Sequence, residues 1–399
     1  MIVGAGMAGV RTAVELREQG WPGRITLLGE EPHPPYDRPP LSKALLLGPE
    51  GGLPPEVRLD VDFATLDVEL RLGVRALALH PGEHRLATDG GTVGYDQLVL
   101  ATGAHAATLP GTAGLPGVHL LRTLDDAAAL RPLLDRRERV VVVGAGWIGA
   151  EFATAARQAG CEVTVVEAAE RPLAGVLPAS VTGRMAAWYA EAGVELRTGT
   201  AVAAVEQGAV LLADGTRLAA TGVVVGVGAR PATGWLAGSG VELDERGAVL
   251  ADDRLRTTAA DVSAVGDCAS FPSARYGRRL LVHHWDNATQ GPRTAAANLL
   301  GGDEAYDPVP YFWSEQFGRF VQYAGFHTDE DAMVVRGDPD GPAWSVLWLR
   351  QGALVALLAV GRPRDMAQGR KLIARSAQPD PVLAADPAVP LKAAADGAR

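Results

Sequence analysis

Two glycine-rich turns carry the most legible chemistry in this 399-residue sequence. Met1-Ile-Val-Gly-Ala-Gly-Met-Ala-Gly9 recurs as Val141-Val-Val-Gly-Ala-Gly-Trp-Ile-Gly149. Both fit G-x-G-x-x-G, through Gly4, Gly6 and Gly9 and through Gly144, Gly146 and Gly149. Glycines at this spacing let a backbone approach a pyrophosphate at a helix N-terminus, where unbonded N–H groups favour an anion. The pattern alone decides little, because 48 glycines in 399 residues give about 0.7 such matches by chance. Context decides.

Each turn follows an apolar run and precedes a helix-like segment, residues 10–19 in one case and 150–159 in the other. A glycine then leads into a second β-rich run, residues 25–28 and 163–166. Each run ends near an acid, Glu30 or Glu167, lying 21 and 18 residues beyond Gly9 and Gly149. That is the βαβ unit whose terminal carboxylate accepts hydrogen bonds from a ribose. Two units imply two dinucleotides. Glu167 favours NADH over NADPH, because a carboxylate repels a 2′-phosphate. Arg171, four residues later, is near enough to answer a phosphate. The first strand has only Met1 to Val3 before its turn, so either a short strand suffices or the chain begins upstream.

Composition removes other classes of function. A hydrophobic fraction of 47% with 21% charged residues is that of a globular chain long enough for two or three domains. The net charge of −10 argues against a non-specific nucleic-acid binder. No apolar run approaches the ~18 residues that span a bilayer, and no signal peptide is read, so a cytoplasmic location is expected. Cys161 and Cys268 are the only cysteines, with no C-x-x-C, which excludes a zinc ribbon, a cysteine-ligated cluster and a local redox disulfide. His283 and His284 are adjacent but lack acidic or thiol partners nearby, so no metal is expected. Only Lys43, Lys371 and Lys392 are lysines against 34 arginines, which singles out Lys43.

Further motifs stand in a telling order: Arg38-Pro-Pro-Leu-Ser-Lys43, Ala101-Thr-Gly103, Leu121-Arg-Thr123 and Val265-Gly-Asp-Cys268. With them the chain resembles flavoprotein pyridine nucleotide oxidoreductases. More narrowly it resembles the NADH-dependent ferredoxin reductases that serve Rieske dioxygenases and cytochromes P450. Tyr311-Phe-Trp-Ser-Glu-Gln316 and Arg362-Pro-Arg-Asp365 are typical of that group's C-terminal domain. The resemblance implies an α/β fold with two Rossmann-like domains and a C-terminal α+β domain. An FAD domain of residues 1–107 and 232–308 would be interrupted by an NAD domain of 108–231. Residues 309–399 would follow, with a hairpin around Gln351-Gly352 and an Ala/Pro-rich surface tail over 377–399.

The resemblance also implies roles. Gly4, Gly6, Ala8 and Gly9 would contact the FAD pyrophosphate and Glu30 its ribose, while Asp267, after Gly266, would hold the ribityl chain. Ala76, Ala101, Thr102, Gly103, Arg122, Trp285 and Trp313 match other FAD-contact positions. Arg38 and Lys43 would lie over the flavin, where an ammonium favours the electron-rich reduced ring. Glu151 would pair with Lys43 and meet the nicotinamide; Trp147 would shield the flavin or simply pack. Gly144, Gly146, Ile148, Gly149, Glu167 and Gly228 complete the NAD site. His283 departs from the group, which commonly has a glutamate there.

The implied reaction is hydride transfer from NADH to FAD, then single electrons to a ferredoxin, by a monomer or weak homodimer. A rubredoxin is an alternative acceptor. A disulfide-reducing flavoenzyme would need a cysteine soon after the first βαβ unit, where this chain has Ser42. An NADH-responsive interaction protein resembling apoptosis-inducing factor would need a long insertion or targeting segment, and neither is visible. Because ferredoxins are generally acidic, docking requires a local basic face. Arg293, Arg362, Arg364, Arg370, Lys371 and Arg375 are the candidates.

Overall fold

The computed structural model describes residues 1–48 and 57–396. Two compact units emerge: Met1–Asp37, Gly52–His105 and Ala229–Pro310 form one, and Arg38–Gly51, Ala106–Gly228 and Tyr311–Arg399 the other. The expected nucleotide-binding insert and the C-terminal part both fall in the second unit.

The first unit is built on five parallel strands in the order Val262–Ala264, Leu98–Leu100, Ile2–Val3, Ile25–Gly29 and Val68–Leu72. Ile2–Val3 is short, yet it pairs with Leu27–Leu28 on one side and Val99–Leu100 on the other. Its helix spans Met7–Glu18 rather than 10–19, because the last residues of the glycine motif are already helical. That helix packs against helix Trp285–Leu299. A small antiparallel sheet of Ala76–His80, Arg85–Thr88 and Gly91–Gly94 closes the core with Leu79 and Leu86.

The second unit repeats the design. Strands Glu195–Arg197, Glu162–Val166, Arg139–Val143, Gly222–Val225 and Val118–His119 are parallel in that order. Val140 to Val143 are all buried, as expected of a central strand covered on both faces. Helix Trp147–Ala159 starts at the second glycine turn, three residues before the expected 150. The C-terminal part adds an antiparallel sheet ordered Tyr311–Gln316, Arg319–Gly325, Ala353–Val360, Trp344–Arg350 and Ala332–Gly337. Its expected hairpin is present, with Gln351 and Gly352 both at positive φ (51° and 82°) in a two-residue turn.

The expected surface tail is a correction. Within the described residues, 377–396 carry helices Pro381–Ala385 and Leu391–Asp396, and Ala384, Leu391 and Ala394 are fully buried. The cause is Arg336, 1% exposed, whose guanidinium donates to the carbonyls of Ala384 (3.0 Å) and Val389 (2.7 Å). The same guanidinium pairs with Asp365 at 2.9 Å, and Arg362 adds a second pairing at 2.7 Å. Burial pushes the Asp365 carboxyl up, but the two arginines outweigh it and hold it below its ordinary value. Its stabilisation is therefore present above about pH 4 and lost as pH falls through the lowered folded value. We expect Arg336→Met to cost about 3 kcal/mol, since it strands buried acceptors. Urea unfolding should show that loss together with a weaker acid dependence, and hydrogen exchange should rise first over 377–396. Unchanged exchange there would refute the anchoring.

Candidate functional site

In the first unit the two outer glycines of the turn are demanded by packing. A Cβ on Gly4 (φ 109°) would lie 2.2 Å from the Ala101 carbonyl oxygen, and one on Gly9 would lie 1.8 Å from that of Gly4. Gly6 differs: a Cβ there would meet nothing within 4 Å, and Gly6 caps its helix with no side-chain hydrogen bond. The helix end is thus an open, uncapped cradle, which fits a pyrophosphate. Ala101, Thr102 and Gly103 follow strand Leu98–Leu100, and Gly266 and Asp267 follow Val262–Ala264. Gly266 (φ 73°) sits so close to Ala8 that a Cβ on it would be 2.8 Å from the Ala8 methyl. These residues therefore gather at the carboxyl ends of three adjacent strands, the ligand crevice of such sheets.

Other predicted positions in this unit are more dispersed. Glu30 follows strand Ile25–Gly29 and pairs with Arg75 at 2.8 Å, both side chains being exposed. Ala76 opens the small antiparallel sheet and packs on its core. Trp285 begins helix Trp285–Leu299 and donates from its indole to Asp37 at 2.7 Å. Cys268 is wholly buried beside Asp267, and burial pushes its thiol up, away from the reactive thiolate. Among the described residues no group of three or more His, Cys, Asp or Glu is placed to hold a metal.

The second unit repeats the cradle. A Cβ on Gly144 (φ 104°) would be 2.4 Å from the Gly226 carbonyl oxygen, and one on Gly149 would be 2.1 Å from that of Gly144. Gly146 again has an open face and no side-chain cap. Glu167 ends the second strand, and its carboxylate accepts from the Ala145 N–H at 2.8 Å and the Ala169 N–H at 2.9 Å. The acid therefore braces the glycine turn. Gly228 (φ 117°) follows strand Gly222–Val225, and Ile148 is exposed in the first helical turn. Trp147 packs edge-on against Phe312, with ring centres 4.8 Å apart.

One turn further along that helix lies the cluster of greatest chemical interest. Glu151 is 4% exposed. One carboxylate oxygen accepts from the Lys43 ammonium at 3.0 Å and from the Ser42 hydroxyl. The other accepts from the Ser314 hydroxyl at 2.7 Å and the Glu315 N–H at 3.3 Å. The structure thus brings together Lys43 and Glu151, and adds Ser42, noted in the sequence only as the replacement of a cysteine, and Ser314, which sequence reasoning passed over. Ser314 stood inside the recognised Tyr311–Gln316 motif, but nothing local marked its hydroxyl. Arg38 donates to the Arg122 carbonyl at 2.7 Å, and the Arg122 N–H donates to Asp126, whose side chain also completes a capping box with Thr123.

The basic candidates divide. Arg293 is exposed on helix Trp285–Leu299, and Arg364, Lys371 and Arg375 are exposed on or beside helix Pro363–Ala374. Arg362 is engaged by Asp365, and Arg370 lies 4.3 Å above the Tyr311 ring, itself stacked on Trp313 at 6.2 Å. Those two serve the fold.

Two dinucleotide cradles and a buried ammonium–carboxylate pair define a nucleotide-dependent oxidoreductase. The chain belongs to the pyridine nucleotide-disulphide oxidoreductase family, matched over residues 1–292, and carries a reductase C-terminal domain over 311–395. It is 37% identical to rhodocoxin reductase of Rhodococcus erythropolis, covering 99% of this chain and 93% of that one. It is 38% identical to the ferredoxin–NAD(+) reductase component of the anthranilate 1,2-dioxygenase system of Burkholderia cepacia, covering 98% of each. In structure it matches the covalent putidaredoxin reductase–putidaredoxin complex with a TM-score of 0.94 and 34% identity, over 100% of this chain and 98% of that chain. The cofactors implied by the family are FAD and NAD(H).

The glycine geometry separates two variants. Gly6→Ala should fold with an unchanged melting temperature yet lose flavin content, because its methyl enters only the open face. Gly9→Ala should be destabilised by several kcal/mol or fail to fold, since it overpacks against backbone. Full flavin content in Gly6→Ala would show that the cradle is not the pyrophosphate site.

Proposed function

We propose that this protein is an FAD-containing reductase that takes a hydride from NADH and passes single electrons to a ferredoxin supplying an oxygenase. The observation that carries this reading is the pairing of Lys43 with the buried Glu151, with Ser42 at its side, where a disulfide reductase would need a thiol. Both cysteines are buried, with thiols pushed up by burial, and they belong to different units. FAD, when bound, supplies the conversion of a two-electron hydride donor into one-electron deliveries.

The protein's own residues bind and orient. In this reading residues 1–107 and 232–308 hold FAD, 108–231 hold NADH, and 309–399 form the C-terminal domain. Gly4, Gly6, Ala8 and Gly9 receive the FAD pyrophosphate, with Glu30, Asp267 and the other matched positions on the rest of that cofactor. Gly144, Gly146 and Gly149 receive the NADH pyrophosphate, and Glu167 its ribose. Lys43 places a fixed positive charge for the flavin, while Glu151 holds that charge in place. Trp147, which packs on Phe312, shields the flavin in this reading. A cytoplasmic location belongs to this reading, because NADH is the proposed donor.

Two expectations follow from charge. NADH should have at least about a tenfold higher specificity constant than NADPH, roughly 1.4 kcal/mol, and Glu167→Arg should narrow the gap. Equal values in the wild type would remove Glu167 from the ribose site. Arg293→Glu should weaken ferredoxin-dependent cytochrome c reduction, and the wild-type rate should fall with salt as steering is screened. Reduction of ferricyanide, which needs no docking face, should barely change. Equal loss with both acceptors would mean damage to the flavin site instead of to a docking surface.

A further inference from the structure

The donors around Glu151 form a chain that continues into the C-terminal sheet. Strand Tyr311–Gln316 alternates, so Ser314 and Gln316 lie on one face, and both are essentially fully buried. The Gln316 amide donates to the Ser314 oxygen at 3.1 Å. That bond occupies an acceptor position on the hydroxyl and directs its own hydrogen toward Glu151, 2.7 Å away. Just beyond, the Phe317 N–H donates to the Thr154 hydroxyl at 2.9 Å, one helical turn after Glu151. The strand is therefore clamped along the first two turns of helix Trp147–Ala159.

We infer that Ser314, oriented by Gln316, is a positioning residue that fixes the Glu151 carboxylate and so holds the Lys43 ammonium in place. On the opposite oxygen of Glu151 sit Lys43 and Ser42. Without the Ser314 hydroxyl, the first oxygen keeps only the 3.3 Å bond from the Glu315 N–H. The carboxylate can then rotate to share its remaining donors, and the 3.0 Å contact with Lys43 loosens. The consequence for flavin reduction rests on the function proposed above; the consequence for Lys43 does not.

The small lysine count supplies the test. The holoenzyme is treated with limiting acetic anhydride, and peptide mass spectrometry reads acylation of Lys43 relative to Lys371 and Lys392. Lys43 is 17% exposed and paired, whereas the other two are exposed and serve as internal references. Ser314→Ala should raise the relative reactivity of Lys43 and slow stopped-flow reduction of the flavin by NADH, each about tenfold, the worth of one bond to a charged group. NADH saturation should shift by less than about twofold, since orientation and not nucleotide binding is lost. Ser314→Thr, which keeps the hydroxyl, should behave as wild type. In a Glu151→Gln background Ser314→Ala should add nothing to Lys43 reactivity. Should Ser314→Ala not fold, Gln316→Leu carries the same expectation from the other end of the chain. Unchanged Lys43 reactivity in the folded variants overturns the relay. Raised reactivity with unchanged flavin reduction establishes the relay and overturns the role given to Lys43 in the reaction.

Discussion

An ionised carboxylate taken out of water costs several kcal/mol unless its oxygens are met by donors, and Glu151 is such a group. Its four donors come from parts of the chain far apart in sequence. Ser42 and Lys43 end and follow the short helix Pro39–Ser42, while Ser314 and Glu315 lie in the C-terminal sheet. The acid itself stands on the helix that opens at the second glycine turn. Satisfying one charge therefore ties the loop bearing Lys43, the nucleotide-binding helix and the C-terminal strand to a common geometry. An apolar residue at 151 could fill the space, but it would not hold an ammonium.

The glycine turns show how such a fold separates packing from ligand binding. In both, the first and third glycines are forced by backbone carbonyls closer than 2.5 Å to where a Cβ would be. The middle glycine is under no such pressure in either turn. Its bare face is kept for something the chain does not supply, at a helix end with no side-chain cap. Within each motif the packing constraint thus falls on the outer two glycines and spares the middle one. Glu167, just past strand Glu162–Val166, braces the second turn through Ala145 and in the function proposed above also meets the ribose.

What was legible in the sequence was local and periodic. Strand, glycine turn, helix, strand and acid recur within short windows, so both βαβ units could be read from the sequence. The hairpin at Gln351-Gly352 was legible because two β-rich runs, residues 344–349 and 354–360, flank that pair. The docked C-terminal segment was not. Its Ala/Pro-rich composition resembles that of a free tail, and what captures it are side chains distant in sequence, foremost Arg336, 50 residues upstream of Asp386, and also Gln368, which accepts from the Lys392 N–H. The contact of Arg370 with the Tyr311 ring was hidden likewise, because tertiary packing sets it, whereas the Arg362–Asp365 pair is local, three residues apart. Ser314 was invisible as a site residue because its target lies 163 positions away.

Strand Tyr311–Gln316 shows why the C-terminal sheet belongs to the chemistry as well as to the scaffold. It is an edge strand, bonded within the sheet only to Arg319–Gly325. Its alternation sends Phe312, Ser314 and Gln316 toward Trp147, Glu151 and the helix behind them. Tyr311, Trp313 and Glu315 take the opposite face, where Arg370 covers the tyrosine ring. A slip of one residue would exchange the two faces and take the Ser314 hydroxyl away from Glu151. The register is pinned at six consecutive pairs from Tyr311–Ala324 to Gln316–Arg319, and again by the Phe317 bond to Thr154. The hydrogen bonds that make the sheet are therefore the same ones that aim a serine at a buried acid.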